Sequence, residues 1–179
     1  MKRDRGADRG RWIALAAVVI GLLVVQLAGL AHMPLWGVRP ELLLVFALGA
    51  ALQRGAIEGL ILGMLVGLLH DLPGGHLIGL SAVAYGAACL VVGLVGERVY
   101  PERSVVVLGM VALGTVISQT VYLAGASAFG LPWPPLDGFF RVLAALLGYH
   151  LLLTPLIYPV CRWAAAVLAA RGGDLSIGG

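Results

Sequence analysis

Glycine recurs at every fourth position within one apolar stretch of this chain, at Gly55, Gly59, Gly63 and Gly67. Residues four apart lie on the same face of an α-helix, so the spacing predicts a helical strip without side chains. In water, each of these glycines would destabilise a helix by about 0.5–1 kcal/mol relative to alanine. In a membrane, the same strip lets another helix backbone approach closely, so these four glycines are a candidate face for helix packing or for a partner protein. The pattern therefore favours a packed membrane bundle.

The composition supports lipid as the solvent of this chain. Hydrophobic residues make up 60% of the 179 residues and charged residues 12%, whereas soluble domains carry roughly 25% charged residues. We therefore expect an all-α integral membrane protein with one domain. The net charge of +3 is scattered among apolar segments, which argues against nucleic acid and favours lipid headgroups. Cys89 and Cys161 lie in apolar runs and are expected in the core or against lipid.

Six apolar segments predict six transmembrane helices. The second segment is the weak one, because its residues rise only about 18 Å along a helix. It is expected to form a short hairpin with the third segment, and the alternative is that the two fuse into fewer crossings. The expected spans are Trp12–Ala31, Glu41–Leu52, Ala56–Leu72, Leu77–Val95, Ser104–Ala128 and Phe139–Val160, the last continuing as an interfacial helix to Ala170.

The basic residues predict the orientation of the bundle. With the N-terminus in the cytoplasm, ten of the twelve lysines and arginines fall on that side, and only Arg39 and Arg141 fall outside. Cytoplasmic loops of membrane proteins carry such an excess, so the chain is expected to be N-in and C-in. Residues 1–11 are then a basic cytoplasmic tail, residues 12–170 the six-helix membrane domain, and residues 171–179 a flexible cytoplasmic tail.

A polar corner follows the glycine-rich helix and contains Asp71, Gly74, Gly75 and His76, preceded by His70. A zinc site needs three or four converging ligands, and no fourth donor lies nearby in the sequence. We expect instead that Asp71 caps the turn around the two glycines. This outer corner is a candidate contact for a partner protein.

Other polar residues do not form a catalytic pattern. Ser81 lacks the Gly-x-Ser-x-Gly elbow of serine hydrolases. Gln26, Ser118, Gln119 and Thr120 lie within spans and are expected to hydrogen-bond neighbouring helices. No charged residue is expected at mid-membrane, which argues against an active carrier. Few polar groups are expected near the outer face, which argues against a vitamin-binding subunit. We expect no catalytic residue, metal or cofactor.

The loop after the fourth span carries Arg98, Tyr100 and Arg103 among acidic neighbours. Such loops are most often solvated turns. It is also the best candidate in the sequence for contact with a cytoplasmic partner.

Two segments of the chain resemble the MreD family of rod shape-determining membrane proteins. One is the run from Arg39 to Val45, which contains Arg39-Pro40-Glu41. The other runs from Gly59 to Leu80 and holds the glycine-rich helix, the His70-Asp71 pair and the glycine turn. A weaker match lies at residues 154–162, and the resemblance extends over about residues 12–165. His70 stands where the family usually has a residue such as glutamine.

The resemblance implies a non-enzymatic scaffold in the inner membrane of rod-shaped bacteria. It implies binding to MreC and action with RodA, a class B penicillin-binding protein and MreB in peptidoglycan synthesis. It also implies the six-helix arrangement of the substrate-binding subunits of energy-coupling-factor transporters. The main alternative is therefore the substrate-capture subunit of a vitamin transporter. An intramembrane enzyme is a third, disfavoured reading.

Overall fold

The computed structural model describes residues 5–28, 38, 40–73, 77–99 and 104–172. The described residues form six α-helices, as the apolar segments predicted. Two of these helices are long and apolar enough to cross a membrane, over Ser104–Ala128 and Leu136–Ala164. The helices are α1 (Arg5–Ala28), α2 (Leu42–Arg54), α3 (Ala56–Asp71), α4 (Leu80–Gly96), α5 (Ser104–Ala128) and α6 (Leu136–Gly172).

Three helices begin three or more residues away from the predicted starts of their spans. Helix α1 begins at Arg5, within the segment expected to be a tail. Helix α4 begins at Leu80 rather than Leu77, because Gly79 has a left-handed backbone (φ 98°) and ends the preceding turn. Helix α6 begins at Leu136 rather than Phe139, and it continues to Gly172 with Pro155 and Pro159 inside it.

Helix α2 lies at the centre of the bundle. All residues from Leu42 to Leu52 are buried, and α2 contacts each of the other five helices. Its large apolar side chains, including Phe46 and Leu48, form the middle of the main hydrophobic core. A helix that is apolar on all faces and enclosed by protein does not need to match the bilayer thickness, which explains why α2 can be short.

One glycine joins α2 to α3 and separates them into two helices. Gly55 has φ 83°, a left-handed conformation that glycine adopts at little cost. The side chain of Glu97, which follows α4, accepts a hydrogen bond from the Ala56 N–H at 3.0 Å. This bond satisfies one of the N–H groups left free where α3 begins. The two segments therefore form a short hairpin rather than one fused helix.

The remaining glycines of the strip, Gly59, Gly63 and Gly67, form a seam against α4. A Cβ atom added at Gly63 would lie 2.7 Å from the Tyr85 carbonyl oxygen, and one added at Gly67 would lie 2.7 Å from Ala82 Cα. Since the clashing atoms are backbone, no side-chain movement could relieve them. The glycine seam is therefore filled by α4 of the same chain and is not free for a second protein.

The glycine seam predicts a loss of stability on adding a single methyl group. Gly67→Ala should lower the free energy of unfolding by about 1–3 kcal/mol, because the two backbones must separate. The matched control is Gly148→Ala on α6, where a Cβ atom meets nothing within 4 Å; this change should be neutral or slightly stabilising. Thermal unfolding in detergent compares the two variants, and equal melting temperatures would contradict the close packing.

Candidate functional site

Glu41 places a carboxylate between the helices where α2 begins. Its Oε2 accepts a hydrogen bond from the Tyr85 hydroxyl at 3.0 Å. Its Oε1 accepts one from the Gln119 side-chain amide at 3.1 Å. These donors belong to α4 and α5, so the Glu41 side chain links the start of α2 to both of these helices. The carboxylate also lies at the positive end of the α2 dipole, which favours its negative charge.

The backbone of Glu41 is held by a buried histidine on α6. The Glu41 N–H donates to His150 Nε2 at 3.2 Å, and His150 Nδ1 lies 2.8 Å from the Thr115 hydroxyl. That hydroxyl donates its only proton to the Val111 carbonyl at 2.8 Å. His150 Nδ1 must therefore carry the proton between them. The network specifies a neutral imidazole that accepts from α2 and donates to α5.

Helix α1 also reaches the start of α2, through Gln26. Gln26 Oε1 accepts a hydrogen bond from the Leu43 N–H at 3.1 Å. Its Nε2 lies 2.8 Å from His70 Nδ1, and an amide nitrogen can only donate. Gln26 thus caps the buried start of α2 and orients the His70 ring, which lies 5.5 Å from the Tyr85 ring centroid.

Asp71 caps the start of the next helix. Its Oδ2 accepts hydrogen bonds from the N–H groups of Gly79 at 2.8 Å and Ser81 at 3.1 Å. These are the free donors at the start of α4. Gly74, Gly75 and His76, expected to share this corner, lie outside the described residues.

These polar side chains surround a cavity of about 250 Å³ that is partly open to the surface. The sequence analysis did not predict that so many polar side chains gather at one end of the bundle. Both carboxylates and His70 face the same space, with hydroxyl groups from α4 and α5. The lining residues are Glu41, His70, Asp71, Leu77, Ser81, Tyr85, Ser118, Gln119 and Tyr122. We call this space the polar cavity.

The other residues predicted to contact partners lie elsewhere. Arg98 is exposed just after α4, at the opposite end of that helix from the polar cavity. Tyr100 and Arg103 lie outside the described residues. Thr120 was expected to bond a neighbouring helix, but it is exposed and donates to Val116 of its own helix. Gln26 and Gln119 do bond to other parts of the chain, as the sequence predicted.

Sequence reasoning missed Glu41, Tyr85 and His150 as members of one network. Their hydrogen bonds span 44 and 109 residues of sequence, and no periodic pattern links them. One signal was present. Helix α2 starts with no serine, threonine, asparagine or aspartate at its N-cap, so its free N–H groups need partners from elsewhere.

The fold and the cavity define a class of protein, an all-helical membrane protein with apolar outer faces and a polar cavity at one end. A family model for the rod shape-determining protein MreD matches residues 8–131, more than half of the chain. The chain belongs to the MreD family. Comparisons with curated proteins and with solved structures found no match. The matched region contains all the residues that line the polar cavity.

Because Gln26 caps the start of α2, its removal should destabilise the protein more than removal of Gln53. Gln26→Ala leaves the buried Leu43 N–H without its partner, and this should lower the free energy of unfolding by about 1–3 kcal/mol. In Gln53→Ala, the lost bond runs to the Gly49 carbonyl of the same helix, and the change should stay within about 0.5 kcal/mol. Unfolding by a denaturing detergent in mixed micelles measures both, and equal losses would contradict the capping role.

Proposed function

We propose that this chain is a non-enzymatic membrane scaffold of the bacterial cell-elongation machinery, located in the inner membrane. The MreD family match over residues 8–131 carries the proposal. The scaffold would bind MreC and, through it or directly, act with RodA, a class B penicillin-binding protein and MreB. In this way it would regulate peptidoglycan synthesis and rod shape by binding alone.

We propose that the six helices cross the membrane with both termini in the cytoplasm. The distribution of lysine and arginine supports this orientation. The ion pair between Arg54 and Glu58 and the exposed Arg98 would then face the cytoplasm. The polar cavity, at the opposite end of α3 and α4, would open outward. From the sequence resemblance alone, we further propose the helix arrangement of energy-coupling-factor substrate-binding subunits.

The surfaces available for helix partners are the exposed apolar faces. The glycine seam of α3 faces α4, so the opposite face of α3 points outward. Lipid or a partner helix can cover such a face, since both are apolar. Its exposed residues are Ile57, Ile61, Met64, Leu65, Leu68 and Leu72.

An apolar groove between α5 and α6 is the surface that best fits a partner helix. It encloses about 280 Å³ and is lined by Leu108, Leu151, Pro155 and Pro159 among others. Because proline has no N–H, the carbonyls of Leu151 and Pro155 lack the donor four residues later in the helix. A partner helix that carries a hydroxyl or amide side chain could donate to them. We assign this groove to the membrane helix of MreC.

Two further contacts complete the proposal. The outer corner at Asp71, Gly74, Gly75 and His76 would meet the part of MreC that leaves the membrane. The loop with Arg98, Tyr100 and Arg103 would meet a cytoplasmic partner such as MreB. The exposure of Arg98 supports the second contact.

If MreC binds in this groove, a large side chain placed there should weaken MreC binding. Leu108→Trp should fill the groove and lower recovery of MreC in detergent co-purification by about tenfold, equivalent to 1.4 kcal/mol of binding free energy. Leu113→Trp on the same helix, at a side chain that is 39% exposed and outside the groove, is the matched control. Undiminished recovery with Leu108→Trp would exclude the groove as the MreC contact.

The polar cavity favours one second candidate, the substrate-capture subunit of a vitamin transporter. Fold alone cannot distinguish this activity from a scaffold. The cavity of about 250 Å³ is smaller than the roughly 300–1,000 Å³ of typical ligand pockets. The family match therefore favours the scaffold over the substrate-capture subunit.

Depletion of the chain in a rod-shaped host distinguishes the two functions. The scaffold predicts rounded cells under the microscope, because lateral wall synthesis loses a component, and normal growth on limiting vitamin. Rod-shaped cells with reduced vitamin uptake would instead establish the transporter subunit.

A further inference from the structure

The polar cavity carries more negative charge than its surroundings offset. Two carboxylates, Glu41 and Asp71, line it, and no lysine or arginine is among the described residues that do. Glu41 lies at the start of α2, and Asp71 lies between the end of α3 and the start of α4, where the opposite half charges of the two helix ends largely cancel. The helix ends therefore leave the charge of Asp71 largely uncompensated. This negative charge fits a ligand with a single positive charge.

One side chain in the cavity lacks a partner where its neighbours have one. Thr115, Thr120 and Ser127 on α5 each donate to the carbonyl four residues earlier in the helix. Ser118, on the same helix, is 1% exposed and its hydroxyl has no hydrogen-bond partner among the described residues. A buried hydroxyl without a partner is costly. Ser118 lines the polar cavity, so a molecule inside the cavity could satisfy it.

Both carboxylates of the cavity have free capacity to accept hydrogen bonds. The N–H groups that bond Asp71 both reach its Oδ2, and no described bond uses its Oδ1. Each Glu41 oxygen accepts one bond and retains capacity for a second. The Ser118 oxygen can accept as well. A primary ammonium group offers three donors and one positive charge, which matches this set.

The surroundings of the carboxylates favour an organic ion over a bare metal. The rings of His70, Tyr85 and Tyr122 also line the cavity, and aromatic rings attract organic cations. No group of three or more histidine, cysteine, aspartate or glutamate side chains in the described part of the chain is arranged to hold a metal. We propose that the polar cavity binds a small organic ammonium ion between Asp71 and Ser118.

The ammonium group has two possible sources, a free amine and the ethanolamine headgroup of a lipid. The probe for the first is ethanolamine, added to the full chain in micelles that contain no phosphatidylethanolamine. Ethylene glycol, in which a hydroxyl replaces the amine, is the matched neutral probe. The probe for the second is a nanodisc of phosphatidylethanolamine and phosphatidylglycerol, compared with one of phosphatidylglycerol alone. Calorimetry and melting temperature are the readouts.

Ser118→Ala removes the unpartnered hydroxyl and should weaken ammonium binding by about tenfold or more, the effect of one hydrogen bond to a charged group. Thr120→Ala, two residues later and outside the cavity, should leave binding unchanged. Asp71→Asn keeps an acceptor for the start of α4 and removes one charge, so it should also weaken binding.

Binding of ethanolamine but not ethylene glycol, lost in Ser118→Ala, assigns the site to a free amine. Stabilisation only in the phosphatidylethanolamine nanodisc, lost in the same variant, assigns it to the lipid headgroup. Binding of neither source would overturn the proposal. Equal binding of the two soluble probes, or equal loss in Ser118→Ala and Thr120→Ala, would do the same.

Discussion

A helix that begins inside a protein leaves backbone N–H groups that water cannot reach, and α2 begins in this way. Gln26 from α1 accepts from Leu43, and His150 from α6 accepts from Glu41. Glu41 itself accepts from Tyr85 and Gln119 on α4 and α5. The satisfaction of one buried helix start therefore requires four other helices at defined positions. We regard this requirement as the constraint that fixes the bundle.

The same requirement creates the polar cavity. A polar group inside an apolar bundle is stable only when it is hydrogen-bonded, so the groups that complete α2 and α4 gather at one end. At the opposite end of the hairpin, Glu97 caps α3 and the apolar groove opens between α5 and α6. The polar groups of this MreD family member thus gather in the polar cavity at one end. The groove between α5 and α6 is an apolar surface that suits a partner helix.

Sequence patterns predicted the helices well and the polar network poorly. The spacing of Gly59, Gly63 and Gly67 predicted a close helix contact, because a four-residue period is a local property of a helix. It could not show that the partner is α4 of the same chain. Glu41 was recognised as the first residue of a span and as part of the family resemblance, but not as the centre of a polar network, since its partners are set by tertiary packing. The start of α4 was shifted because the left-handed backbone of Gly79 ends the preceding turn.

Hydrogen exchange at the start of α2, in nanodiscs and resolved by residue, measures whether the buried N–H groups of this helix start are capped. A capped start predicts that the Glu41 and Leu43 amides, which donate to His150 and Gln26, exchange as slowly as the amides in the middle of the helix, near Leu48. Exchange of the first turn as fast as a frayed helix end would show that α2 is not held by Gln26 and His150, and would contradict the account.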